Sequence, residues 1–198
     1  NGNNKMGGDS TFRVGNITSA QLRQPFAITN ILDRSLARFA EFIDDFSENA
    51  AILSTRPGIY LSDNNEFRID YLDVIRDDNG RDLTTPFRVN SKSKIIQASK
   101  KYILGYTVPG RKMWLWHEGS HVYVNRNPAD ELEADKNAIM FYLGTGNPII
   151  EAYNVIYKCF KNTPSDLNKH RYDELNKYIS NFYKNMGNQI NTSEKNFK

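Results

Sequence analysis

Residues 117–121 read His117-Glu118-Gly119-Ser120-His121, an H-E-x-x-H pentapeptide that takes two of the chain's three histidines. Positions i and i+4 of a helix share a face, so the two imidazoles can converge on one cation while Glu118 stands beside them as a base. A catalytic zinc ion needs a third protein ligand and keeps one position open for water. Ten residues beyond His121 the chain offers Glu131-Leu132-Glu133-Ala134-Asp135.

Helical phase selects among these acids. Residues 131, 134, 135, 138 and 142 fall on one face, as Glu131, Ala134, Asp135, Ala138 and Tyr142, and the small alanines would let two helices approach closely. Glu133 shares its face with Lys136 and Asn137, which suits solvent. Glu131 is therefore the expected third ligand, with Asp135 one turn later placed to accept an N–H from a ligating histidine. Glu133 is the alternative ligand, and Asp130 is read as stabilising the positive end of a helix. This set predicts one Zn²⁺ and a metal-activated water whose proton Glu118 takes as general base, so that the substrate would be a peptide or protein. A donor for the tetrahedral oxyanion is also needed, and His170, Arg171 and Tyr172 are the polar candidates downstream.

The surrounding pattern must position these groups. Apolar residues at 32, 36, 39, 43 and 46 predict a long amphipathic helix from Ile31 to Ala50, capped by Asn30. From Ile59 to Ala98 the period is nearer two, with Phe67–Tyr71 alternating, Asp78-Asn79-Gly80 as a hairpin turn, and short strands at Phe87–Val89 and Ile95–Ala98. Pro109-Gly110 closes this region. The motif helix is expected over about Arg111–Asn125, a second helix from Pro128 to about Leu143, a third from Asn147-Pro148 through Cys159, and a last one within Ser165–Lys184. The reading is a polar tail over 1–19, one α+β domain over 20–186 and a polar tail over 187–198.

At 198 residues, 39% hydrophobic and 25% charged, the composition is that of a soluble globular chain. No apolar run is long enough for a transmembrane helix, and no signal core opens the sequence, which predicts a cytoplasmic or virion-associated protein without a membrane partner. The net charge of +3 is spread out, so nucleic acid is not an expected partner; Lys92, Lys94, Lys100 and Lys101 read as a charged strand edge. Cys159 is the single cysteine, read as a small buried hydrophobe, and Trp114 and Trp116 as core and cleft wall.

The pentapeptide followed by Glu131-Leu132-Glu133-Ala134-Asp135 resembles the H-E-x-x-H…E-x-x-x-D pattern of gluzincin metallopeptidases, and also the short arrangement of the ImmA/IrrE-like peptidases. Over about residues 87–160 it is similar to compact peptidases encoded by phages and mobile elements. The resemblance implies a zincin-like α+β fold: a small, mostly antiparallel sheet on the motif helix, then the Glu-bearing helix, with a long N-terminal helix and C-terminal helices around them. It further implies that the strand Ile95–Ala98 offers its edge to an extended substrate, and it allows association with a phage particle. Two departures stand out. Gly119 replaces the usual bulky residue, costing the helix about 1 kcal/mol relative to alanine, and the connection from His121 to Glu131 requires a tight turn at Asn125-Arg126-Asn127. The alternative function is a structural or virion-associated protein that keeps a zincin-like fold with little or no turnover.

Overall fold

A computed structural model describes residues 13–14, 17–18 and 34–195, with side chains over 34–184. The expected cap Asn30 and the first stripe residue Leu32 lie outside the described residues. Arg13–Val14 (β1) and Ile17–Thr18 (β2) form a two-stranded antiparallel ladder within the segment read as a tail.

The amphipathic stripe folds as α1 (Arg34–Asp45), which continues as a π turn over Phe46–Ala50. Phe39, Phe42, Ile43 and Phe46 are buried. Their rings interlock with the sheet: Phe39 meets Phe67 edge-on at 5.2 Å, and Phe46 meets Tyr71 at 5.6 Å.

The sheet contains Gly58–Leu61 (β3), Arg68–Leu72 (β4), Phe87–Val89 (β5) and Ile96–Ser99 (β6), in the order β3-β4-β6-β5. It is mixed, because β4 pairs with β6 in parallel while β3–β4 and β5–β6 are antiparallel. Alternation in β4 behaves as its pattern demands. Ile69 and Tyr71 are fully buried, and Arg68 and Asp70 pair across the other face at 2.6 Å. The turn at Asp77–Gly80 closes on an isolated bridge between Arg76 and Asp82, with Gly80 at φ 76° where only glycine is unstrained. The chain then crosses so that β5 lies outside β6. The strand expected to present its edge, Ile95–Ala98, is thus interior and paired on both sides, and the edge belongs to Phe87–Val89.

Lys100–Ile103 (α2) follows β6 at once, so Lys100 and Lys101 open a helix instead of lining a strand edge. The motif helix α3 runs Val108–Tyr123. Pro109-Gly110 does not close the preceding region but opens this helix: Thr107 caps it by accepting the Gly110 N–H at 3.2 Å, and proline fits the first turn, where no intrahelical N–H is needed. From Gly110 to His121, every residue but Trp114 is buried, so α3 is a central helix covered on all sides. Glu131–Gly144 (α4) starts later than expected, because Asp130 is the cap and Pro128-Ala129 remain in the turn. Ile149–Asn162 (α5) and Asp166–Lys195 (α6) complete the α+β chain. α6 carries the backbone into the segment read as a C-terminal tail. No helix among the described residues is long and apolar enough to cross a membrane.

Candidate metal centre

α3 delivers His117 and His121 one turn apart, and α4 packs against it through the fully buried Ala134 and Ala138. The phase argument holds: Ala134, Asp135, Ala138 and Tyr142 are all buried, and Glu131, at the open end of the same face, reaches the imidazoles. Glu131 Oε2 lies 3.2 Å from His117 Nε2 and 3.7 Å from His121 Nε2, and the two Nε2 atoms are 3.1 Å apart. Donors around a tetrahedral ion with bonds of about 2.0–2.1 Å stand about 3.3 Å from one another. His117, His121 and Glu131 could therefore hold one metal ion.

The outer nitrogens explain why both Nε2 atoms turn inward. His117 Nδ1 donates to Asp135 Oδ1 at 2.9 Å and His121 Nδ1 donates to the Pro128 carbonyl at 2.8 Å. A carboxylate and a carbonyl both accept, so when the imidazoles are neutral each would turn an Nε2 lone pair towards the other and towards the Glu131 carboxylate. That arrangement repels itself unless positive charge lies between the three groups.

The proton affinities report the same field. Burial acts to lower the His117 pKa, but hydrogen bonds to Asp135 and Glu131 outweigh it and push it up to about 10. Hydrogen bonds from His117 and His121 hold the Glu131 carboxyl far below the ordinary range. Burial raises the Glu118 pKa, against the opposing pull of the two histidines. Glu118 faces the cleft that also exposes His117, His121, Glu131 and Arg171.

The cleft's other wall is β5. Asn90 N–H bonds to Ile95 O and Ser99 N–H to Pro86 O, so in this antiparallel ladder residues 86, 88 and 90 face β6 while Phe87 and Val89 turn their amides to the free edge. The Val89 amide acts on Glu118 from there, favouring its ionised form.

The remaining expected residues separate. Glu133 is no part of the cluster: its carboxylate accepts the N–H groups of Arg126 at 2.7 Å and Asn127 at 3.1 Å, while Asp130 accepts the Glu133 N–H at 2.9 Å. The Asp130 cap and the Glu133 carboxylate together build the tight turn between the histidines and Glu131. Glu133→Gln should therefore keep metal binding and lose roughly 1 kcal/mol of stability, a drop of about 2–4 °C in melting temperature; a scanning-calorimetry trace with a matched metal titration checks it. Of the oxyanion candidates, His170 is exposed, Tyr172 stacks on Phe160 at 5.6 Å, and only Arg171 lines the cleft. Its Nε and Nη2 are engaged with Asp135 at 2.6 and 2.9 Å, a role its sequence context did not signal. Trp116 lies in the core and stacks on Phe141, whereas Trp114 walls the cleft. Cys159 is partly exposed and also lines the cleft, not the core.

Gly119 has a packing reason. A Cβ there would lie 2.4 Å from Cε1 and Cζ of Phe39, and that ring is held by Phe67, Trp116 and Tyr123 at 5.2, 5.4 and 5.3 Å. Overpacking of this kind costs about 1–3 kcal/mol or more, exceeding the roughly 1 kcal/mol of helix propensity that alanine returns. Gly119→Ala should thus lower the melting temperature, and Phe39→Leu in the same chain should recover part of the loss. Equal melting of Gly119→Ala and the parent would show that the ring yields.

Comparisons with family models, with curated proteins and with solved structures find no match.

Proposed function

We propose that the chain is a zinc-dependent metallopeptidase. One observation carries the reading: the site pairs a His-His-Glu donor triad with a fourth group, Glu118, that does not join the triad and faces the same cleft. A structural metal site has no use for that carboxylate. Two imidazoles and one carboxylate suit zinc, and three protein ligands leave a position open for catalysis.

Zinc bound there supplies Lewis acidity and a water acidified towards neutrality. The rest belongs to the protein. Glu118, with its pKa raised by burial, takes a proton during attack on the peptide carbonyl and returns it to the leaving amine. Asp135 and the Pro128 carbonyl keep both imidazoles in the tautomer that leaves Nε2 free. The outer edge of β5, where the Val89 amide meets Glu118 and the Phe87 carbonyl accepts from Thr85 at 2.7 Å, can offer its remaining main-chain groups to an extended substrate beside Glu118. Next to His117, a small pocket of about 40 Å³ is walled by Met113, Trp114, Ile156, Phe160 and Leu175 with Asp135 and Arg171 on its polar side, and it suits no more than a small substrate group.

The reading is tested by incubating the zinc-loaded protein with a mixed peptide library and following new amino termini by mass spectrometry. Cleavage that stops with a chelator and returns with zinc is expected. Absence of cleavage at full zinc loading would leave the alternative, a structural or virion-associated protein with a zincin-like fold.

A further inference from the structure

Asp135 is almost fully buried, and a buried carboxylate is stable only when its oxygens are satisfied. His117 contributes one donor, at Oδ1. The others come from Arg171, thirty-six positions away on α6: Nη2 shares Oδ1 at 2.9 Å and Nε takes Oδ2 at 2.6 Å. Nη1 is steadied by Asn168 Oδ1 at 3.3 Å, and Nη2 also lies 3.5 Å from Glu131 Oε2. One planar guanidinium thus spans the ligand Glu131 and the carboxylate that orients the ligand His117. It comes from a helix that also buries Leu175, Ile179 and Phe182 and pairs Glu174 with Lys136 of α4 at 3.7 Å.

We propose that Arg171 is a positioning residue of the metal centre, through which the docking of α6 sets metal affinity. The proposal rests on the reading that His117, His121 and Glu131 bind a metal. Without the fork, Asp135 would keep a single donor and would be free to turn away from Nδ1, releasing the His117 ring. The coupling runs both ways by linkage: a metal that fixes His117 and Glu131 also fixes the groups that hold α6. Lysine, with one compact charge, cannot span both oxygens and Glu131 together.

The test is a Co²⁺ titration of the full chain, in competition with a chromophoric chelator, for the parent, Arg171→Met, Arg171→Lys, Asp135→Asn and the double variant Arg171→Met/Asp135→Asn. Arg171→Met should bind about 10–100-fold more weakly, Arg171→Lys should restore only part of the loss, and the double variant should be no weaker than Asp135→Asn. Amide exchange over residues 166–184 should slow on metal binding in the parent and change little in Arg171→Met. Parental affinity in Arg171→Met, or a loss that adds in full to that of Asp135→Asn, would overturn the proposal. Arg171→Lys keeps the charge and carries the same comparison if the Met variant fails to fold. A parent that binds Co²⁺ no better than His121→Ala would instead overturn the metal reading beneath it.

Discussion

Glu118→Gln is expected to keep its metal and its melting temperature while losing peptide hydrolysis by roughly two to four orders of magnitude. Glutamine has nearly the shape of glutamate and can still accept from the free β5 edge, so the buried position is not left empty. It cannot take a proton at the reacting centre. The histidines gain no new partner, because Glu118 stands outside the triad of His117, His121 and Glu131. Metal content by atomic absorption, a melting curve and the rate on a peptide found by the library screen give three readouts. Parental turnover in this variant would remove Glu118 from the mechanism, and loss of metal would make it a ligand.

His121→Ala should show the second large effect, on metal content and on the stability the metal confers. A ligand present at one hundred times its Kd stabilises the folded state by about 2.7 kcal/mol, which in a chain of this size corresponds to roughly 5–11 °C. The parent should lose that increment on dialysis against a chelator, whereas His121→Ala should melt alike with and without metal. The pH dependence follows from His117. With its pKa raised from 6.5 to about 10 in the metal-free protein, protonation stabilises the fold fully below 6.5, and that contribution is lost as pH rises through about 10. Metal must displace this proton, so apparent affinity should fall as pH is lowered from 8 to 6. Equal chelator sensitivity in His121→Ala and the parent would place the metal elsewhere.

Much of the site was legible in the sequence because its parts lie on regular helices of fixed period. The i, i+4 spacing paired His117 with His121. The face shared by Glu131, Ala134, Asp135 and Ala138 set Glu131 above Glu133, even though the helix begins three residues later than its Asn127-Pro128 signal suggested. Phase survives a shift in the start, since a residue's direction depends on its neighbours and not on the cap.

The rest depended on contacts distant along the chain. The identity of the edge strand followed from how the segment between β4 and β5 crosses, and strand order leaves no mark on strands of three to five residues. Gly119 reads as a departure until Phe39 is placed on it. Arg171 sits in an ordinary polar stretch, and only the approach of α6 to α4 brings its guanidinium onto Asp135. By itself the sequence determined the donors and their phase, because those are properties of one helix at a time. Tertiary structure alone decided which wall faces them, why the helix must have glycine there and what holds the donors in place, because each of these is a contact between elements that local periodicity does not encode.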